Sequence, residues 1–381
     1  MRVSFVINNI GGGGAEKALQ LLSTFLVSRG HEVKVVSLLT GKDAYSLDPS
    51  IERVTLKSDW LGNGIGKLAA LPIQARELAA LFRSWKPDVS VSFLPLSNVA
   101  HVMTRWFGNE AAVLLTEQVS TRDAFPSRSP KDRLMRQLIR TFYPKADRVF
   151  PSSKGVLDGL TAFGVSRARM LVVHNAVELA AIRACTRQGV ATLPASDLPT
   201  VITVGRHAEQ KDHETLLRAF AVARQRVPAR LVFVGDGPLR GDLDELSNGL
   251  GVAESVIFAG WQANPFAWLA QSDLFVLSSR YEGFGNVLVE AMACGLPIVS
   301  TDCPSGPSDI LRNGEDGVLV PVGNIEELAD AMTSLLTDDL LRAGLADKAR
   351  RRAPDFDISV IGPQYEKLLQ TFAKAPTGTH P

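Results

Sequence analysis

The sequence predicts an α/β protein of two domains, each a parallel sheet covered on both faces by helices. Three observations carry this. Short apolar runs of strand length alternate with helical patterns along almost the whole chain, with no all-β stretch. The alternation stops after residue 177 and starts afresh near residue 200. The 381 residues, 45% hydrophobic and 21% charged, suit two ordinary globular domains and exclude a disordered chain. The domains are expected at 1–175 and 198–355, with a last helix at 360–375 joined to the first.

In the first half, Arg2–Asn8 reads as a strand, Gly11–Gly14 as a loop, Ala15–Val27 as a helix and Val33–Leu39 as the second strand. The glycines miss the dinucleotide fingerprint, because Glu16 stands three after Gly13, and no acidic residue closes the second strand. No Lys-Ser or Lys-Thr takes a P-loop position. No nicotinamide or other cofactor is therefore expected. Residues 65–85 read as an amphipathic helix, with Leu68, Leu71, Leu78 and Leu81 on one face; Pro72 kinks it or marks its start. Val89–Leu94, Ala112–Thr116 and Arg148–Ser152 read as strands. The polar loop 117–130 is too long for a plain connection. Residues 178–198 lack periodicity and read as the linker.

The second half repeats the scheme. Strands are expected at Val201–Val204, Leu231–Val234, 256–258, 274–278, Ile298–Ser300 and Val318–Val320. Helices are expected at Glu214–Val227, 239–249, 265–271, 287–293, 325–336 and Gln364–Phe372.

The densest chemistry lies in Ser278–Glu290, a glycine loop between a strand and a helix. Glu282 falls in the loop and Glu290 in the first turns of the helix. Gly283 and Gly285 flank Phe284 and let the backbone approach a ligand. A helix N-terminus receives anions, and strand-end loops are where open α/β sheets bind ligands. Two Glu eight apart occur about once by chance in a chain of average composition. The plain alternative for Glu290 is a solvated helix residue.

The strand–loop–helix setting makes this stretch resemble the family 4 glycosyltransferases, whose hallmark is a Glu, seven residues and a Glu at this place. The resemblance covers nearly the whole chain. It implies a GT-B fold: two Rossmann-like domains facing across a cleft, the first binding acceptor, the second the nucleotide-sugar, and a C-terminal helix crossing back to the first. It implies a retaining hexosyltransferase, with a UDP-sugar as donor and a growing, lipid-linked saccharide as acceptor. By the same resemblance Gly205-Arg206 and Lys211 contact the donor diphosphate, where Arg offers a fork of donors and Lys a mobile charge. Glu290 would hold the ribose, Glu282 the transferred sugar, and the N–H groups around Phe284, Gly285 and Asn286 the sugar and β-phosphate. Gly13 and Gly14 would lie near donor phosphate and acceptor. The catalytic set is Arg206, Lys211 and Glu282.

The sequence departs from the family in places. Ala176 replaces the usual Gly in Asn175-Ala176-Val177. Where many members carry an acceptor-side His, this chain has Thr116-Glu117-Gln118, so Glu117 is the candidate to orient the acceptor hydroxyl; alternatively the leaving phosphate alone takes the proton. Asp302–Pro307 resembles a stretch in members that build bacterial surface polysaccharides and lipid-linked oligosaccharides. No metal is expected. Asp242/Asp244 lies inside a helical pattern and Asp355/Asp357 near a helix start, and Cys185, Cys294 and Cys303 show no ligand spacing.

Net charge is +1, unevenly spread: residues 1–173 carry 23 Lys and Arg against 14 Asp and Glu. Seven basic residues (Arg128, Lys131, Arg133, Arg136, Arg140, Lys145, Arg148) stand against Asp132 and Asp147 in 128–148. A solvated helix face and an anionic membrane contact both fit. No apolar run reaches 18 residues, and Met1–Ile10 lacks a signal-peptide core. A cytoplasmic protein is expected, either free or peripheral on the inner membrane face, with no nucleic-acid partner. Two rivals remain open at this point: a nucleotide-sugar epimerase on the same fold, and a non-catalytic nucleotide-sugar binder.

Overall fold

A computed structural model of the chain describes residues 1–60, 68–126, 128–187, 193–194 and 196–373. Residues 65–67 of the expected helix, Ser127 of the long loop, and linker residues 188–192 and 195 lie outside the described residues. By contact the chain divides into two compact units: Met1–Ala176 together with the chain from Ile358 on, and Val177–Asp357.

Unit 1 is a six-stranded parallel sheet of β1 (Arg2–Ile7), β2 (Glu32–Ser37), β3 (Glu52–Thr55), β4 (Val89–Phe93), β5 (Ala112–Glu117) and β6 (Arg148–Pro151), in the order β3-β2-β1-β4-β5-β6. Its helices are α1 (Gly14–Ser28), α2 (Leu71–Trp85), α3 (Pro95–Met103), α4 (Pro130–Phe142), α5 (Lys154–Thr161) and, from the chain's end, Ile358–Ala373. The central strands are buried on both faces, so they read as apolar runs rather than alternating ones. One face packs against α2, α3 and α4 through Leu78, Val99 and Ile139. The other packs against α1 and the last helix through Leu19, Leu22, Ile361, Tyr365 and Leu369.

Unit 2 has β7 (Thr200–Val204), β8 (Arg230–Val234), β9 (Val256–Gly260), β10 (Leu274–Leu277), β11 (Ile298–Thr301) and β12 (Val318–Val320), all parallel, in the order β12-β11-β10-β7-β8-β9. Around it lie α6 (Leu179–Arg187), α7 (His213–Arg224), α8 (Arg240–Gly249), α9 (Asn286–Ala293), α10 (Ile325–Thr337) and α11 (Asp339–Arg352). The last helix is α12 (Ile358–Ala373).

Pro72 resolves one of the two readings offered for it, and three other elements differ from expectation. Pro72 lies in the first turn of α2, where its missing N–H has no helical partner to lose, so it marks the start and not a kink. The presumed linker contains α6, which buries Leu179 and Ile182 in the unit 2 core; nine residues are too few to show a period. α12 begins six residues before Gln364 and carries Pro363 in its interior. A proline there reads as a breaker, but Ile361 and Tyr365 on either side are core residues of unit 1. Gly362 lies so close to α1 that a Cβ would stand 2.8 Å from the Phe25 ring. The helix expected at 265–271 is a single turn, Phe266–Leu269.

Candidate active site

In unit 2 the chain runs from β7 outward to β8 and β9, then returns to the other side of β7 as β10 and continues to β11 and β12. Loops from the carboxyl ends of β7 and β10 therefore part in opposite directions and leave a crevice, the place where open α/β sheets receive ligands. The first loop holds Gly205, Arg206 and the turn Glu209–Lys211. The second runs from Ser278 to Gly285, which N-caps α9 without any side-chain cap. A helix start of this kind offers N–H donors to an anion.

The two loops bring Lys211 onto Glu282, with Nζ 2.5 Å from Oε1. Ser279 Oγ donates to the same oxygen at 2.6 Å. Glu282 is 6% exposed, and both of these bonds fall on its Oε1. Arg206 is exposed and forms no ion pair among the described residues. Glu290 is half-buried on the fifth residue of α9. The Phe284 ring is buried and packs edge-on against Phe356 at 5.6 Å, with the residue 2% exposed. The next loop, Asp302–Gly306, buttresses this one. Ser305 Oγ donates to the Glu282 carbonyl. Gly306 has φ +100, and a Cβ there would stand 2.0 Å from the Phe284 carbonyl oxygen.

Neither nearby cysteine offers a thiolate. Burial, with the Glu282 charge adding, pushes the Cys303 thiol up to about 12; burial and Glu290 do the same for Cys294. His207 and His213 share a hydrogen bond between their Nδ1 atoms at 2.9 Å against Phe233. Burial lowers both pKa values, so the pair is neutral and braces the first loop.

Unit 1 holds the remaining candidates. Gly13 N-caps α1, and the half-buried Glu16 carboxylate folds back on the backbone N–H groups of Gly13 and Glu16. A phosphate at Gly13 and Gly14 would have to displace that carboxylate. Glu117 departs from its expected role, since it is fully buried and cannot touch an acceptor hydroxyl. Oε1 accepts from the N–H groups of Gln118 at 3.0 Å and Val119 at 3.2 Å, and Oε2 from the Tyr143 hydroxyl at 2.5 Å. A chain of bonds continues through Asn98, Ser92 and His101 to Ser90. Burial pushes the Glu117 carboxyl up to about 7 against the pull of these donors, and drives His101 down to about 3.

The basic stretch 128–148 is less free than its composition suggests. Arg136 and Arg140 lie over the Phe163 ring, Lys145 over Phe142 and Arg148 over Phe372. Ser129 and Asp132 form a capping box at the start of α4. Lys131, Arg133 and Arg140 are exposed beside Leu134, 42% exposed.

Sequence reasoning missed the supports of the site: Ser279, Ser305, Asp212 and Arg280. A partner 68 residues away, as Asp212 is from Arg280, leaves no local signal.

Residues 198–338 match the family model for glycosyl transferases group 1, and residues 13–176 match a glycosyl transferase 4-like domain. An N-acetylgalactosamine-N,N'-diacetylbacillosaminyl-diphospho-undecaprenol 4-alpha-N-acetylgalactosaminyltransferase of Campylobacter jejuni is 31% identical over 93% of this chain and 96% of its own. Among solved structures, a sucrose-phosphate synthase from Thermosynechococcus elongatus superposes with TM-score 0.83 at 23% identity, over 98% of this chain and 100% of its own. HepE of Anabaena, solved with UDP and glucose, gives 0.79 at 21% identity, over 97% and 99%. These two likenesses establish a shared fold.

Proposed function

Since this chain belongs to the group 1 glycosyl transferases and is a glycosyltransferase, we propose that the crevice between β7 and β10 binds a UDP-sugar and passes its sugar, with retention and without metal, to a lipid-linked saccharide. The observation that carries this is the meeting of Lys211 and Glu282 beside Arg206 and the start of α9. Arg206, Lys211 and the α9 N-terminus take up the charge that builds on the leaving UDP. Each well-placed contact of this kind supplies roughly 2–4 kcal/mol in the transition state. Glu290 accepts from the ribose hydroxyls. Glu282 accepts from hydroxyls of the sugar. The bond from the sugar's anomeric carbon to the phosphate oxygen breaks, the acceptor oxygen bonds to the same face of that carbon, and its proton passes to the leaving phosphate. Glu117 is not needed as a base. Gly205, Gly283, Phe284, Gly285 and Asn286 offer backbone to the diphosphate and sugar, and Gly13 and Gly14 are assigned to phosphate once Glu16 turns away.

The UDP assignment is supported by HepE, solved with UDP and glucose. The acceptor class is supported by the diphospho-undecaprenol substrate in the name of the Campylobacter relative. Lys131, Arg133 and Arg140 would hold the chain on the anionic surface where such an acceptor lies. No helix among the described residues is long and apolar enough to cross a membrane.

The test is a screen of nucleotide sugars for thermal stabilisation, followed by turnover with a membrane extract. Stabilisation by one UDP-sugar and its conversion to UDP is expected. Stabilisation without turnover would mark a non-catalytic binder. Interconversion of the sugar without transfer would mark an epimerase.

A further inference from the structure

The crevice is made from two chain segments that local sequence does not hold together. They are laced across: the Arg280 N–H donates to Gln210 O at 2.8 Å, Gln210 Nε2 donates to Tyr281 O at 3.0 Å, and Ser278 Oγ donates to Lys211 O at 2.8 Å. Immediately after Lys211 comes Asp212, in the left-handed region at φ 47 and ψ 45. For a residue with a side chain this costs about 1–2 kcal/mol and persists only where neighbours enforce it. Two side chains do so here. Asp212 Oδ1 accepts from Arg280 Nη2 at 3.1 Å, and Oδ2 accepts from Thr215 Oγ1 at 2.9 Å. Asp212 is 5% exposed, so its carboxylate would be left buried and half-satisfied without the guanidinium. Arg280 also reaches Glu209 at 3.6 Å. It therefore grips the first loop on both sides of Lys211 while standing two residues before Glu282.

We propose that Arg280 and Asp212 are positioning residues of the donor site: they fix the left-handed turn that aims the Lys211 ammonium at the diphosphate and holds it against Glu282. This rests on the reading that Lys211 binds the donor. An ordinary surface ion pair would be worth about 0–1 kcal/mol of stability and would not touch ligand binding. A positioning pair acts through Lys211, so its effect disappears when Lys211 is gone.

The experiment is calorimetric titration with UDP, on folded protein checked by thermal unfolding. Arg280→Ala weakens UDP about tenfold, Arg280→Lys recovers most of the loss, and Lys211→Ala/Arg280→Ala binds no worse than Lys211→Ala. Asp212→Asn tolerates the left-handed turn and keeps an acceptor for Thr215; it weakens UDP in the same direction and serves if Arg280→Ala does not fold. Wild-type affinity in Arg280→Ala and Asp212→Asn overturns the proposal. So does a double variant that loses the full tenfold beyond Lys211→Ala. A wild type that fails to bind UDP removes the donor reading itself, and this one with it, before any variant is compared.

Discussion

Glu117 is a carboxyl buried at the end of β5, and its replacement by Gln tests how the core of unit 1 is charged. Burial raises it from the ordinary 4.5 to about 7. Below pH 4.5 folded and unfolded chains both carry the proton. Between 4.5 and 7 the unfolded chain releases it while the folded chain keeps it, so stability falls as pH rises; above 7 the loss is complete. At about 1.4 kcal/mol per pH unit, the window from 4.5 to 7 amounts to about 3 kcal/mol. Glu117→Gln cannot ionise, so it lacks this slope. Its amide oxygen still accepts from Gln118 and Val119, but its NH2 points a donor at Tyr143, which already receives one from Asn98. The variant is therefore less stable than the wild type at pH 5 and closes the gap by about 2.5 kcal/mol by pH 8. Urea unfolding followed by circular dichroism at pH 5, 6, 7 and 8 measures this. Parallel profiles for the two proteins would mean that Glu117 is ionised in the native core throughout, and would refute the reasoning.

Three further outcomes are expected. Arg206→Ala or Lys211→Ala lowers turnover on the order of 100-fold with the fold intact, whereas Glu282→Ala binds UDP at least as well, because Lys211 is released from its ion pair, yet loses sugar transfer; equal loss of UDP affinity in Lys211→Ala and Glu282→Ala would contradict the division of roles. Gly306→Ala must move the Phe284 carbonyl off its place, and costs about 3 kcal/mol with weaker UDP binding, read by thermal unfolding and calorimetry. Replacing Lys131, Arg133 and Arg140 by Glu abolishes salt-sensitive co-sedimentation with anionic vesicles while transfer to a short soluble acceptor survives; a wild type that stays in solution at low salt makes this helix a solvated face.

The sequence disclosed the strands of both sheets because parallel strands buried on two faces are unbroken apolar runs, as in Leu274–Leu277. It disclosed Ser278–Glu290 because glycines between a strand and a helix have few other uses. β3 was missed because Glu52–Thr55 is a short edge with one exposed and three half-buried residues and no apolar run. α3 was missed because all nine of its residues are buried, which leaves no polar face to give a period. Glu117 was misjudged for a related reason. A Glu between Thr and Gln at a strand end looks solvated, and only the tertiary fold brings Tyr143 and Asn98 around it. Lys211 and Glu282 were each visible, but their contact across 71 residues was not.

The docking of α12 on unit 1 has a consequence for how the chain is made. Ile361, Tyr365, Leu369 and Phe372 complete a core otherwise assembled from the first 176 residues. A ribosome reaches them only after synthesising the whole of Val177–Asp357, a delay of roughly ten to forty seconds at about 5–20 residues per second. Unit 2 is continuous and can close as it emerges. Unit 1, made before it, must wait with one side of its sheet covered by α1 alone, so the nascent chain is most exposed to aggregation and to chaperones through Met1–Ala176. Stop codons or proteolytic cuts just before Ile358 would then damage the end of the molecule synthesised first.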